Sequence, residues 1–215
     1  MNNEIIIEVN EVFKKYDDAT VLDNVSLEIE KGKIYGLVGR NGSGKTVLMK
    51  CICGLIKPTS GEVKVAGKTV GKDVDIPEDI GVIIETPGFI PNYSGFKNLK
   101  LLASVRNKIS NEEIRKSMEI VGLEPKSRKH VGKYSLGMRQ KLGIAQAIME
   151  KPKILILDEP MNGLDNESVA VVRKILKEQA ENGATIILAS HNREDIDVLC
   201  DKVYTMDHGV IECER

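Results

Sequence analysis

The sequence predicts an α/β fold: a P-loop core with a mainly parallel sheet, an antiparallel β edge subdomain and an α-helical subdomain. Three observations predict it. The apolar run Ile34-Tyr35-Gly36-Leu37-Val38 passes through a glycine-rich loop, Gly39-Arg40-Asn41-Gly42-Ser43-Gly44-Lys45-Thr46, into Val47-Leu48-Met49-Lys50-Cys51-Ile52-Cys53, which stops at Gly54. That order is strand, loop, helix. Far downstream, Ile154-Leu155-Ile156-Leu157 is continuously apolar, the pattern of a strand buried on both faces of a parallel sheet. Between the two, from about 94 to 149, the spacing of apolar residues changes to that of helices.

Taken in order, the chain begins with strands. Ile5, Ile7 and Val9 alternate with Ile6, Glu8 and Asn10, and Val25, Leu27 and Ile29 alternate with Ser26, Glu28 and Glu30. Turns at Tyr16-Asp17-Asp18 and Glu30-Lys31-Gly32-Lys33 favour antiparallel pairing at the edge of the core, with Gly61 to Gly67 as a further strand. Ile80 to Ile84 reads as a buried strand that ends at Glu85-Thr86-Pro87-Gly88, where proline and glycine forbid continuation. Leu99, Leu102 and Val105 have helical spacing. Ser110-Asn111-Glu112-Glu113 is a capping box for a helix with Ile114, Met118 and Val121 inward, and Ser135 caps a third helix carrying Leu142, Ala145 and Ile148. A helix from Asn166 to about Ala180, a strand Ala184–Ala189 and a hairpin about Asp207-His208-Gly209 complete the chain.

The whole of 1–215 reads as one domain, with the helical subdomain at about 94–149. Hydrophobic residues make up 41% and charged residues 29%, which describes a globular protein with a sizeable core. Lys plus Arg is 31 against 32 for Asp plus Glu, a net charge of −1 that argues against nucleic acid as a partner. Cys51 and Cys53, one residue apart on a helix, should point to different faces, and all four cysteines read as reduced thiols of a cytosolic protein. Met1-Asn2-Asn3-Glu4 begins no signal peptide and no apolar run has the roughly 20 residues that span a bilayer.

The chemistry starts at the loop. Its glycines let backbone N–H groups from Gly39, Arg40, Asn41, Gly42, Ser43 and Gly44 curl round a phosphate at the helix N-terminus. Lys45 then reaches the β- and γ-phosphates and the Thr46 hydroxyl suits Mg²⁺. Asp158 and Glu159, two acids where a buried strand ends, suit a metal carboxylate and a water-positioning base respectively. Asn107-Lys108-Ile109-Ser110 lacks the acid of a guanine-reading Asn-Lys-x-Asp motif, so ATP is the expected nucleotide.

Leu157-Asp158-Glu159-Pro160, followed by Asn162-Gly163-Leu164-Asp165 and Ala189-Ser190-His191, resembles the nucleotide-binding subunits of ABC transporters, in the same order and over nearly the whole chain. The resemblance implies that Asp158 holds Mg²⁺ through water, that Glu159 polarises the hydrolytic water, and that His191 contacts the γ-phosphate. It places Asp165 in the loop joining the two sites of a dimer and Tyr16 against adenine.

Two positions depart from the family pattern. Tyr134-Ser135-Leu136-Gly137-Met138 stands for Leu-Ser-Gly-Gly-Gln; Ser135 and Gly137 survive and would bind ATP held by the opposite subunit. Glu85 stands where the family has Gln touching the metal; it keeps an oxygen for Mg²⁺ but adds a charge and loses the amide donor. Both departures, and Glu85 to Asn92, resemble the bacitracin-resistance and lantibiotic-immunity branch of exporters. The implied protein is an ATPase subunit using ATP and Mg²⁺. It forms a homodimer, or a heterodimer with a related subunit, and sits at the inner face of the cell membrane through a permease received near Glu85 to Leu102. The alternative is an ABC-type switch acting on a soluble complex; a small-molecule kinase would leave Ser135, Gly137 and Asp165 without a role.

Overall fold

A computed structural model describes residues 4–214; Met1 to Asn3, where the absence of a leader was read, and Arg215 lie outside the described residues. Strands β1 (Ile5–Tyr16) and β2 (Ala19–Glu30) form a long antiparallel hairpin, and β4 (Ser60–Val65) pairs with the other edge of β1, followed by the short β5 (Lys68–Thr69). The second sheet has six strands in the order β10 (Val210–Cys213), β9 (Lys202–Asp207), β3 (Ile34–Val38), β8 (Thr185–Ala189), β7 (Ile154–Asp158), β6 (Ile80–Ile83). All its pairings are parallel except β9–β10.

The period of two in a strand decides which side chains serve which layer. On β7, Ile154 and Ile156 face a core shared with α1 (Lys45–Ile52) and the antiparallel sheet. Leu155 and Leu157 face the opposite core, built from helices α2 (Gly95–Arg106), α3 (Asn111–Ile120), α4 (Leu136–Ile148) and α5 (Asn166–Glu181). A strand between two apolar layers must be apolar at every position, so the continuous run in the sequence is legible as a central strand. The capping box at Ser110 forms as expected: Ser110 Oγ accepts from the Glu113 N–H at 3.3 Å and Glu113 Oε2 accepts from the Ser110 N–H at 3.0 Å.

Three expectations change. β6 is an edge strand, so Gly81 and Ile83 are buried while Ile80 and Val82 are only partly so. The inward face of α2 is Gly95, Asn98, Leu99 and Ala103, whereas Leu102 and Val105 are exposed, because contact at i, i+4 and i+8 turns both away from the core shared with α3. Cys51 and Cys53 are both buried in one core, since α1 is covered almost all round and Cys53 lies past its last turn; burial pushes their thiols up to about 11 and about 12.

Candidate functional site

Strands β3, β8, β7 and β6 lie side by side and parallel, so their C-terminal ends emerge on one edge of the sheet. The sequence segments that leave those ends are the glycine-rich loop, Ser190-His191, Asp158-Glu159 and Glu85-Thr86. A cavity of about 500 Å³ opens there, bounded by Lys45, Thr46, Glu85, Asp158, Glu159 and the start of α4.

Two glycines of the loop are required by its path. Gly39 has φ 151°, and a Cβ on it would stand 2.1 Å from the Met206 carbonyl oxygen. Gly44 has φ 108° and a Cβ would meet the Val21 carbonyl oxygen at 2.7 Å. The loop thus packs directly onto β2 and β9. Lys45 is buried and its ammonium donates to the carbonyls of Gly39 at 2.7 Å and Arg40 at 2.9 Å. Burial lowers its pKa, and the charges of Asp158 and Glu159 oppose that.

Thr46 Oγ donates to Asp158 Oδ2 at 2.7 Å, joining α1 to the end of β7. The donors are hard oxygens, the set that Mg²⁺ prefers. Among the described residues no three His, Cys, Asp or Glu side chains gather as a closed metal site, so a cation here depends on phosphate oxygens and water for its remaining ligands.

Glu159 has φ 50°, an uncommon conformation for a residue with a Cβ. Three hydrogen bonds over-determine the turn: the Glu159 N–H donates to the Ala189 carbonyl at 2.9 Å, and Gln140 Nε2 donates to the Glu159 carbonyl at 3.1 Å and to that of Pro160 at 3.0 Å. Its carboxylate Oε2 lies 2.8 Å from His191 Nδ1. The residue before His191 is fixed in turn: Ser190 Oγ donates to the buried Asp195, whose other oxygen accepts from Arg173 of α5.

The remaining sequence candidates fall into two groups. Asn41, Gly42 and Gly44 line the cavity, and Ser43 is buried beneath the loop; Gly39, Arg40 and His191 border a neighbouring concavity. Tyr16, Ser135, Gly137 and Asp165 stand outside both. Tyr16 is an exposed ring at the end of β1 with the Lys14 ammonium 4.8 Å from its centroid. Ser135 Oγ accepts from the Met138 N–H at 3.2 Å as the N-cap of α4. Asp165 caps α5 through Ser168, which also holds its carboxyl below the usual range. The Glu85 carboxylate accepts from Lys50 Nζ at 2.7 Å.

Reading the sequence missed Gln140, Lys50, Asp195 and Arg173. Lys50 carried a signal, since it stands four residues after Thr46 on the same helix face. Gln140 and Arg173 reach across the fold from α4 and α5, and Asp195 lies on a helix, Arg193–Leu199, for which the sequence reading had no element.

Residues 22–162 match the family model described as ABC transporter. The chain belongs to the ABC transporter family. It is 48% identical to an uncharacterized ABC transporter ATP-binding protein, YybJ, of Bacillus subtilis, over 96% of this chain and 95% of that one. It is 43% identical to the bacitracin transport ATP-binding protein BcrA of Enterococcus faecalis, over 96% of this chain and 68% of the relative. The lantibiotic transport ATP-binding protein SrtF of Streptococcus pyogenes is 36% identical, with 98% and 90% covered. A dimeric ATP-binding cassette in a post-hydrolysis state, bound to ADP and phosphate, shares the fold with a TM-score of 0.87 at 22% identity, over 98% of this chain and 99% of the other. The ABC cassette described here is therefore an ATP-binding subunit, an ATPase of that family. Among the described residues no helix is long and apolar enough to cross a membrane.

Proposed function

We propose that this ABC cassette hydrolyses Mg²⁺-ATP to drive export of a peptide antibiotic or bacteriocin-like compound through a separate membrane permease. The convergence of Lys45, Thr46, Asp158 and Glu159 on one cavity carries the reading of the site. Backbone amides of Gly42 to Thr46 and the Lys45 ammonium bind the phosphates. Thr46 and Asp158 would hold Mg²⁺, which would supply positive charge against the phosphates. Glu159 takes a proton from the attacking water, and His191 orients the Glu159 carboxylate through its ring nitrogen while contacting the γ-phosphate. Tyr16 stacks on adenine, and its exposed ring is open to a base.

Ser135 and Gly137 lie outside the cavity of their own chain at the start of α4, which supports their binding the γ-phosphate held by a second subunit. Asp165 belongs to the loop between the two sites. Closure of such a dimer on ATP and its opening after hydrolysis supply the mechanical step. The cassette sits at the inner face of the membrane through its permease, which docks between Glu85 and Leu102. Ile90, Leu101 and Leu102 are exposed there.

The substrate class rests on the relatives that carry bacitracin and lantibiotic transport in their names. Deleting the chain in its host and measuring sensitivity to bacitracin and to lantibiotics tests it. Raised sensitivity restored by the wild-type chain but not by Glu159→Gln is expected. Unchanged sensitivity, with copurification of a soluble complex in place of a polytopic membrane protein, would overturn it.

A further inference from the structure

Glu85, Asp158 and Glu159 line the same cavity as Lys45. Asp158 is tied to Thr46 and Glu159 to His191, both within the site. Glu85 is tied differently. Its Oε1 accepts from Lys50 Nζ at 2.7 Å, and Lys50 is not among the residues that line the cavity. The backbone prepares this: Glu85 has φ 59°, an uncommon conformation that turns the chain sharply where β6 ends. Lys50 comes from the helix that carries the phosphate loop, one turn beyond Thr46, so the two side chains share a face of α1. The ion pair therefore spans from the loop helix to the segment after β6.

The charge balance gives this pair a consequence. A polyphosphate entering the cavity brings several negative charges to a site that already holds three carboxylates. An uncompensated charge at the rim opposes it over distances comparable to the Debye length of about 8 Å at physiological salt. The Glu85 side chain is 65% exposed, so an ammonium in contact with its carboxylate offsets part of that opposition.

We propose that Lys50 is the positioning and charge-compensating partner of Glu85, holding its carboxylate at the rim of the nucleotide cavity so that its charge does not oppose the polyphosphate. This rests on the reading of the cavity as the ATP site. Lys50 touches no substrate in this role; it acts through Glu85.

The experiment is a titration of the purified protein with a fluorescent ATP analogue, in Mg²⁺ and in EDTA, which needs no turnover. Lys50→Met weakens binding by about 2- to 5-fold, the range of a partly exposed charge pair. The loss is larger in EDTA, where the triphosphate carries its full charge. In a Glu85→Gln background the same Lys50 substitution has no effect, and Lys50→Arg retains wild-type affinity. Unchanged affinity in Lys50→Met would overturn the proposal. So would an equal loss with and without the Glu85 carboxylate, which would assign the effect to a misplaced α1. An equal loss for Lys50→Met in Mg²⁺ and in EDTA would also overturn it. Failure of the wild type to bind any nucleotide would instead sink the reading of the cavity.

Discussion

His191 Nδ1 lies 2.8 Å from Glu159 Oε2, so the residue that follows β8 holds the carboxylate that follows β7. The two strands are hydrogen-bonded neighbours, with Leu157 beside Leu188 and Asp158 beside Ala189, and each ends in one half of the pair. Contact between them is a direct product of register. It leaves Glu159 oriented by a group on a separate element, the arrangement expected of a base that must hold one position while water attacks.

Glu159→Gln keeps the size of the side chain and removes its basicity. ATP turnover should fall by roughly 100-fold or more, while ATP binding is kept and the dimer accumulates in size-exclusion chromatography with ATP. His191→Ala should lower turnover as well, through loss of the orienting contact. Near-normal turnover in Glu159→Gln would show that another group activates the water.

Gln140 spans from α4 to the strained turn at Glu159, donating to two carbonyls. Gln140→Leu fills the same space and leaves both acceptors unmet, which should cost about 1–3 kcal/mol in urea unfolding. Because the turn it releases carries Glu159, kcat should fall more than KM rises. An equal change in both would assign Gln140 to stability alone.

Asp195 is 1% exposed and joins Ser190 to Arg173, and thereby α5 to the segment bearing His191. Asp195→Ala should destabilise by about 1–3 kcal/mol, because Ser190 and one edge of the Arg173 guanidinium lose their buried acceptor while Glu194 still pairs with the other edge. Replacing Arg173 and Asp195 together by leucine should recover most of that loss. Calorimetric melting of the two variants measures the difference.

Glu30 is a buried acid between Lys202 and Lys33, and their hydrogen bonds hold its pKa down to about 2 from 4.5. A carboxylate whose folded pKa is depressed binds protons more readily when unfolded. Its stabilising contribution is therefore complete above pH 4.5 and is lost as pH falls toward 2. Glu30→Gln should be less stable at neutral pH and should show a flatter decline between those limits. Urea midpoints from pH 6 down to pH 2 check the slope; parallel curves for the two proteins would disprove the assignment.

Local features of the fold were legible where one residue type has one physical use. The octet from Gly39 to Thr46 could be placed between a strand and a helix because only that context explains its glycines, and Gly39 and Gly44 do adopt conformations closed to other residues. The capping box at Ser110 was legible for the same reason. Leu102 and Val105 were not, since helical spacing fixes a helix without fixing how wide a face the neighbours cover.

By itself the sequence determined most of the elements, though not the helix Arg193–Leu199, together with the apolar patterning of the central strands and the chemistry gathered at their ends. These depend on backbone sterics and on side chains acting within a few residues of each other. Tertiary structure alone decided which strand ends lie side by side, because pairing joins β3 to β8 and β9 across more than 140 residues. It also decided that Glu85 meets Lys50 while Asp158 meets Thr46. A sequence shows that three carboxylates and two lysines exist; only packing sets the distances, and electrostatic partnership falls steeply with distance.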